Sequence, residues 1–346
     1  MLTFFNAEFC LVVALMLLIL VGAARGRFDR FADFNRESTV PLRAVLACCV
    51  ISSHVPPCQF LDLGTAAVSV FFFMSGYGIV KSCQTKKDYL HGMFWRNCRK
   101  LLVPYVICSI PFAVRFTIGG CNLSGVPYDN GYLLESLAEG RIPFLPNGWF
   151  PWALLAFSLI ASVSLRIPGV IGCLACLTMI AMYYMLVRFG FGWSYYWWIS
   201  TWAFPVGVLY AKHENTVINV LKRHQIVIPL AFMGLYSGIY LSVVLGGMMS
   251  LLEFAHALLP IVVVIAVCLY PLPRWKWLVF VGDVSYEIYL AHGVLFCVLI
   301  HLRFPVALAA ICVYLLTPLV GWFVKKISGM LIVTSNSSAR SKRGSV

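Results

Sequence analysis

Within an otherwise apolar run, the stretch "PLRAVLACCVISSHVPPCQF" carries Arg43 near one end and His54 eleven positions further on. At about 100° per residue, eleven steps end about 20° past three full turns, so on a helix the two side chains share one stripe, about 16 Å apart along the axis. Pro56 and Pro57 follow directly, which predicts a helix that breaks just past the histidine. A helix that stops inside a bilayer has to sit against protein or a water-filled cavity. The stretch therefore predicts an arginine at a membrane mouth and a histidine about halfway through a hydrocarbon core about 30 Å thick. An imidazole titrates near neutrality, so His54 has the chemistry of a general base. Two plainer readings stand beside this one: Arg43 as an ordinary cation of the membrane edge, and His54 as a hydrogen bond between helices.

Three further segments carry side chains that could do chemistry. In "LGTAAVSVFFFMSGYGIVKS", Ser75, Gly76 and Gly78 follow an aromatic block. Small residues let helices approach closely; alternatively Ser75 and the Gly76 backbone line the cavity that His54 faces. In "YLHGMFWRNCRKLLVPYVI", Arg96, Arg99 and Lys100 lie at a membrane edge among aromatic residues. They fit headgroup anchoring or a clamp for the phosphates of an anionic ligand. In "VGDVSYEIYLAHGVLFCVLI", Glu287 and His292 enter an apolar span, where ionisable groups face a bundle interior or a cavity. Five positions apart, they do not share a stripe.

The elements that must position these groups follow from composition. The chain has 346 residues, 61% hydrophobic and only 11% charged, far below the roughly 25% charged of a soluble domain. Its apolar runs are continuous rather than alternating. Together these predict an all-α polytopic membrane protein, a bundle of about 10–11 transmembrane helices. The expected spans are about 4–24, 40–57, 64–82, 101–118, 149–165, 168–187, 194–211, 226–245, 250–270, 277–300 and 305–324. The first of them has no basic residue before it and its charges after it, so it reads as a spanning helix with its N-terminus outside rather than a signal peptide.

The net charge of +13 sits in the short loops between these spans, as the positive-inside rule expects, and argues against nucleic-acid binding. On one side fall Arg25, Arg27, Arg30, Arg36, Arg43, the Lys81–Lys100 cluster, Arg166, Lys212, Lys222, Arg223, Arg274, Lys276 and the basic tail; on the other only Arg115, Arg141, Arg188 and Arg303. The basic side, with the C-terminus, is assigned to the cytoplasm. The segment 119–148 is the longest on the opposite side, and "SLAEG" within it suggests a short surface helix. The tail at 326–346 reads as disordered. Most of the thirteen cysteines lie inside apolar spans, where they act as small packing residues. Cys173 and Cys176 form a CxxC inside a helix and carry the same reading ahead of a metal or redox one, so no metal site is expected.

In this order the segments resemble the acyltransferase-3 family of integral membrane O-acyltransferases, over about residues 38–325. The resemblance rests on five elements: Arg43 and His54 at the family's spacing; "FFFMSG", ending in Ser75 and Gly76; Arg96, Arg99, Pro104 and Tyr105 as "RxxRxxxPY"; Trp149 and Phe150 as a helix-starting "WF"; and Gly282, Ser285, Tyr286, Ile288, Tyr289, Leu290 and His292 as "GxxSYxIYLxH". It implies a membrane domain over 38–325, preceded at 1–37 by an extra helix and a basic cytoplasmic loop. It implies an enzyme that moves an acyl group, usually acetyl from cytoplasmic acetyl-CoA, onto a hydroxyl of a sugar in a cell-surface or exported glycan or a lipid-linked sugar, in a bacterial inner membrane. The acyl-CoA is a substrate; no bound cofactor is implied.

Carried over residue by residue, His54 is the catalytic histidine and Arg43 its partner near the thioester or CoA. Arg96, Arg99 and Lys100 serve the donor's phosphates. Ser75, Gly76, Tyr77, Trp149, Tyr286, Glu287 and His292 are cavity-lining candidates. Whether His54 is a base or accepts the acyl group itself stays open, as does the oxyanion's partner among Ser75, Tyr77 and Arg43. The sequence shows neither the C-terminal hydrolase-like domain of some relatives nor an internal repeat. The first assigns acceptor choice to the bundle and the 119–148 loop, and the second weakens the alternative of a glycan or lipid transporter.

Overall fold

A computed structural model describes residues 2–56, 63–119, 130–140, 145, 147–244 and 250–343. Among these residues there are α-helices and short helical turns and no strands. The α-helices are α1 (Leu2–Ala24), α2 (Arg36–His54), α3 (Gly64–Thr85), α4 (Met93–Gly119), α5 (Asn130–Ala138), α6 (Trp149–Ser164), α7 (Gly169–Met185), α8 (Ala203–Arg223), α9 (Val227–Val244), α10 (Ser250–Leu269), α11 (Lys276–Asp283), α12 (Ser285–His301) and α13 (Val306–Arg343). Each expected span overlaps at least one of them. Six helices are long and apolar enough to cross a membrane alone, and eight spans result if each of two bent pairs counts as one. The protein is a multi-pass integral membrane protein.

The helix that carries Arg43 and His54 is bounded by local chemistry. Asn35 caps it: its side chain accepts from the Glu37 and Ser38 N–H groups at 2.8 and 3.3 Å, and its own N–H donates to Ser38 Oγ at 3.0 Å. This reciprocal box satisfies N–H groups that a helix start leaves without partners. At the other end Val55 turns to an extended conformation, and α2 stops at His54, where the proline pair predicted a break. Pro56 lies in the turn beyond; Pro57 is outside the described residues. With Arg36, Glu37 and Arg43 along it, α2 does not pass as an apolar span, and it packs on α3, α11 and α12.

The core forms where backbones come close. A methyl group on Gly76 would stand 2.3 Å from the Phe204 carbonyl oxygen, and one on Gly207 would stand 2.1 Å from that of Phe73. Glycines at both positions let α3 and α8 touch, and α3 packs more extensively on α8 than on any other helix. Phe72, Phe73, Phe157 and Phe204 are fully buried around that seam.

Three expected elements come out differently. The span at 277–300 is two helices, α11 and α12, bent by 78°. A methyl on Gly282 would meet the Val40 carbonyl oxygen at 1.9 Å, so α11 is pressed against α2, and Lys325 Nζ donates to the Asp283 carbonyl at 2.5 Å where the ladder is interrupted. The span at 194–211 becomes α-helical only at Ala203. Its aromatic start is drawn away by indole donors: Trp193 Nε1 reaches the Ala138 carbonyl at 3.0 Å and Trp197 Nε1 the Gly140 carbonyl at 2.8 Å. The tail, expected to be disordered from residue 326, continues α13 to Arg343. Ile327, Met330, Leu331, Ile332 and Val333 extend the apolar run with no proline to end it.

Candidate active site

On the basic face, between α2, α3 and α8, lies a cavity of about 810 Å³. Arg36 and Arg43 reach it from α2, Ser75, Tyr77 and Lys81 from α3, and Glu214 and Asn215 from α8. Three cations stand against two carboxylates, Asp33 and Glu214. Glu214 is already engaged: Lys81 Nζ lies 2.5 Å from its Oε2, and the Tyr77 hydroxyl donates between its Oε1, at 3.0 Å, and the Phe34 carbonyl. Arg43 is half-buried and makes no hydrogen bond or ion pair among the described residues. A half-buried guanidinium facing open space calls for an anion or a polarised oxygen. Ser75 turns its hydroxyl proton back to the Phe71 carbonyl at 3.0 Å, which leaves its oxygen lone pairs for the cavity.

His54 lies at the far end of the same helix. Its ring is exposed, and Nδ1 stands 2.9 Å from the Val50 carbonyl. That carbonyl only accepts, so Nδ1 carries the proton and Nε2 is the basic nitrogen. Beside it is His292, with ring centroids 5.1 Å apart. His292 is fully buried. Its Nδ1 donates to the Ile288 carbonyl at 3.2 Å, and its Nε2 accepts from Asn147 Nδ2 at 3.0 Å. The Asn147 carbonyl in turn accepts from the Tyr289 hydroxyl at 3.1 Å. These hydrogen bonds are all to neutral partners and set His292 as a neutral donor–acceptor beside the exposed ring.

Between the cavity and the histidine pair the described aromatic rings form a continuous path. Phe71, on the cavity wall, is 6.1 Å from Phe150; Phe150 is 4.6 Å from Tyr289; and Tyr289 is 6.0 Å from His292. Trp149 joins from α6, 6.3 Å from Phe72 and 5.3 Å from Tyr196.

The structure therefore gathers Arg43, Ser75 and Tyr77 at one end and His54 and His292 at the other, with Trp149 flanking. Gly76 does not line the cavity; it is spent on the α3–α8 seam. Tyr286 donates to the Leu101 carbonyl at 2.8 Å and ties α12 to α4. Glu287 is buried on α12, within electrostatic reach of Cys108 and Lys325. Arg96, Arg99 and Lys100 are exposed on α4, which lines none of the cavity. Arg96 donates to the His91 carbonyl at 2.6 Å and to that of Tyr89, holding the 86–92 turn. Cys173 and Cys176 are buried free thiols of α7, and no group of three or more metal-ligating side chains occurs among the described residues.

Three polar groups were not singled out from the sequence. Asn147 precedes the helix-starting "WF", and only its place between a proline and Gly148 marks it. Glu214 and Asn215 belong to "AKHENTV", which reads as a charged loop until α8 is seen to continue through it. The part of the 119–148 loop at 120–129, 141–144 and 146 lies outside the described residues; α5 covers the "SLA" of the expected "SLAEG" helix.

The sequence model of the acyltransferase-3 family, described as an acyltransferase domain, matches residues 42–332. This reaches past the expected boundary at 325 and into the continued α13. No curated protein and no solved structure matches the chain.

Proposed function

The chain belongs to the acyltransferase-3 family and is a membrane acyltransferase, and on that premise we propose that it carries an acyl group, acetyl in the first instance, from acyl-CoA at the Arg43 cavity to a sugar hydroxyl at His54. The observation that carries the reading is the place of His54: an exposed ring on the α2 stripe that also bears Arg43, with its Nδ1 2.9 Å from the Val50 carbonyl.

The positive-inside pattern supports a cytoplasmic cavity, and hence access for cytoplasmic acetyl-CoA, with the C-terminus on the same side. Arg36, Arg43 and Lys81 then meet the donor's phosphates, a role that passes to them from Arg96, Arg99 and Lys100 because α4 lines none of the cavity. The gap of about 16 Å between Arg43 and His54 is one that the long, flexible arm of the donor has to bridge. Acceptors on the opposite face are glycans or lipid-linked sugars of a bacterial inner membrane.

Two routes satisfy the chemistry. In one, Nε2 takes the proton of the sugar hydroxyl as its oxygen attacks the thioester carbonyl; the C–S bond breaks and the thiolate leaves with the proton as CoA–SH. In the other, Nε2 attacks the thioester carbonyl first, the C–S bond breaks and the CoA thiolate leaves; the sugar oxygen then attacks the acyl carbonyl, the C–N bond breaks to free the imidazole, and the hydroxyl proton ends on the thiolate as CoA–SH. In either route the oxyanion forms beside Nε2, about 16 Å from Arg43, so its donor has to stand at the His54 end of α2 rather than at Arg43 or Tyr77.

Membranes incubated with acetyl-labelled acetyl-CoA test the reading. The wild type transfers label into alkali-labile ester on surface glycans, and His54→Ala lowers that rate by about 10²–10⁴. Undiminished transfer by His54→Ala would remove His54 from the chemistry. Membranes that bind no CoA would remove the donor assignment.

A further inference from the structure

We propose that the basic face carries a site for one anionic glycerophospholipid, at the turn between α3 and α4, separate from the Arg43 cavity. Two adjoining hollows form it. The first, about 320 Å³, is lined by Lys86, Lys87, His91 and Arg166, with Asp88 as its one carboxylate. The second, about 340 Å³, is apolar, lined by Phe94, Trp95, Leu159 and Val163. Leu90 and Arg166 border both. A cationic cup continuous with an aliphatic groove matches a phosphate joined to an acyl chain, and a free nucleotide has no use for the groove.

The cup is held in shape. Arg96 binds the Tyr89 and His91 carbonyls, and the His91 N–H donates to the Asp88 carbonyl at 2.9 Å. Gly92, with φ at 67°, takes a left-handed conformation that costs glycine little. Asp88 takes the same region at φ 53° without that freedom. The turn is thus strained into a conformation that projects Lys86 and Lys87 toward Arg166. Among the described residues Arg166 and Lys87 have no protein hydrogen-bond or ion-pair partner, so their charge is available to a ligand. The groove faces outward, with Trp95 67%, Leu159 46% and Val163 49% exposed. It follows α4 and α6 away from the basic edge, in the direction an acyl chain takes into a bilayer.

The test uses the full chain purified in a neutral detergent, with native mass spectra and thermal midpoints recorded during titration. The probes are phosphatidylglycerol and phosphatidylcholine with the same chains, glycerol phosphate without chains, and CoA. One phosphatidylglycerol is expected to stay bound and raise the midpoint, while phosphatidylcholine does neither. Removing a cation is expected to weaken binding about fivefold, so Lys87→Gln with Arg166→Gln lowers it about twenty-five-fold. Arg223→Gln, an exposed cation of α8 outside both hollows, leaves binding unchanged. Leu159→Gln weakens long-chain lipid and not glycerol phosphate. Equal retention of phosphatidylcholine, or a double variant that still holds phosphatidylglycerol, overturns the proposal. Displacement of the lipid by CoA or glycerol phosphate at similar concentrations also overturns it, because the cup then reads free phosphate. If the arginine variant fails to fold, Lys86→Gln with Lys87→Gln carries the same expectation.

Discussion

Two histidines lie among the apolar helices in opposite circumstances. His54 is exposed at the end of α2, its Nδ1 on the Val50 carbonyl, beside His292. His256 on α10 is 1% exposed. Its Nε2 stands 3.3 Å from the Glu8 carboxylate of α1, and its Nδ1 3.3 and 3.4 Å from the hydroxyls of Ser69 and Ser200. Tyr236 donates to the other Glu8 oxygen at 2.9 Å. By residue type the second cluster, a serine, a histidine and a carboxylate, looks the more catalytic. Yet the space beside Glu8 and Tyr236 holds no room for a water molecule. On the proposed function, access rather than the inventory of side chains separates the site of chemistry from a lock. The cluster joins α1 to α3, α9 and α10, and α1 lies outside the residues that match the family.

The largest effects test that division directly. His54→Ala is expected to lower acyl transfer by about 10²–10⁴ while the thermal midpoint in detergent stays close to wild type. His256→Ala should do the reverse, because it leaves the Glu8 charge buried without its partner, at a cost of about 3–5 kcal/mol. Whatever folded protein remains should transfer at near the wild-type rate per molecule. A folded, stable His256→Ala that transfers nothing would turn the comparison around.

Glu8 sharpens the lock from its other side. Glu8→Ala removes the carboxylate that Tyr236 and His256 share. A loss of several kcal/mol is expected, with limited proteolysis cutting first between α1 and α2. Glu8→Ala and His256→Ala together should cost clearly less than the sum of the two, since each alone leaves a buried partner stranded. Additive losses would show that the two side chains do not act as a pair.

At the accessible site the next effect belongs to Arg43. Because its guanidinium faces the cavity without a hydrogen-bond or ion-pair partner among the described residues, Arg43→Gln is expected to weaken a charge-assisted contact to the donor by about 2 kcal/mol, or about thirtyfold in kcat/KM for acyl-CoA. Arg43→Lys should recover part of it. Competition by CoA, measured against acceptor saturation, separates loss of donor binding from loss of rate. Unchanged CoA affinity in both variants would return Arg43 to the role of a membrane-edge cation.

What could be read from the sequence divides along similar lines. The end of α2 at His54 was legible because it depends on local chemistry, the proline pair and a fixed helical spacing. Ser75 was expected in the cavity that His54 faces, but it lies with Tyr77 and Arg43 at the other end of α2, because which end of α2 meets α3 and α8 is set by tertiary packing. The bend between α11 and α12 was not legible, since "VGDVSYE" contains no proline and the bend comes from Gly282 pressed on Val40, a contact set by tertiary packing. The Glu8–His256 pair was hidden for the same reason: each is a single ionisable group in an apolar run until the fold joins them. Gly76 had two readings, and the 2.3 Å approach to the Phe204 carbonyl decides for packing.

The smallest expected effect tests whether His292 positions His54 or merely fills space beside it. Asn147→Ala removes the donor to His292 Nε2 and leaves a buried acceptor without a partner, a cost of about 1–3 kcal/mol to stability. If His292 orients the neighbouring ring, kcat should fall about fivefold while KM for acyl-CoA holds, because the cavity at Arg43 lies at the other end of α2. Asn147→His, which can again donate a hydrogen bond at that position, should recover part of the rate. A fall in stability with no change in kcat would leave Asn147 and His292 as packing for the aromatic path, and His54 as the one histidine of the pair that acts.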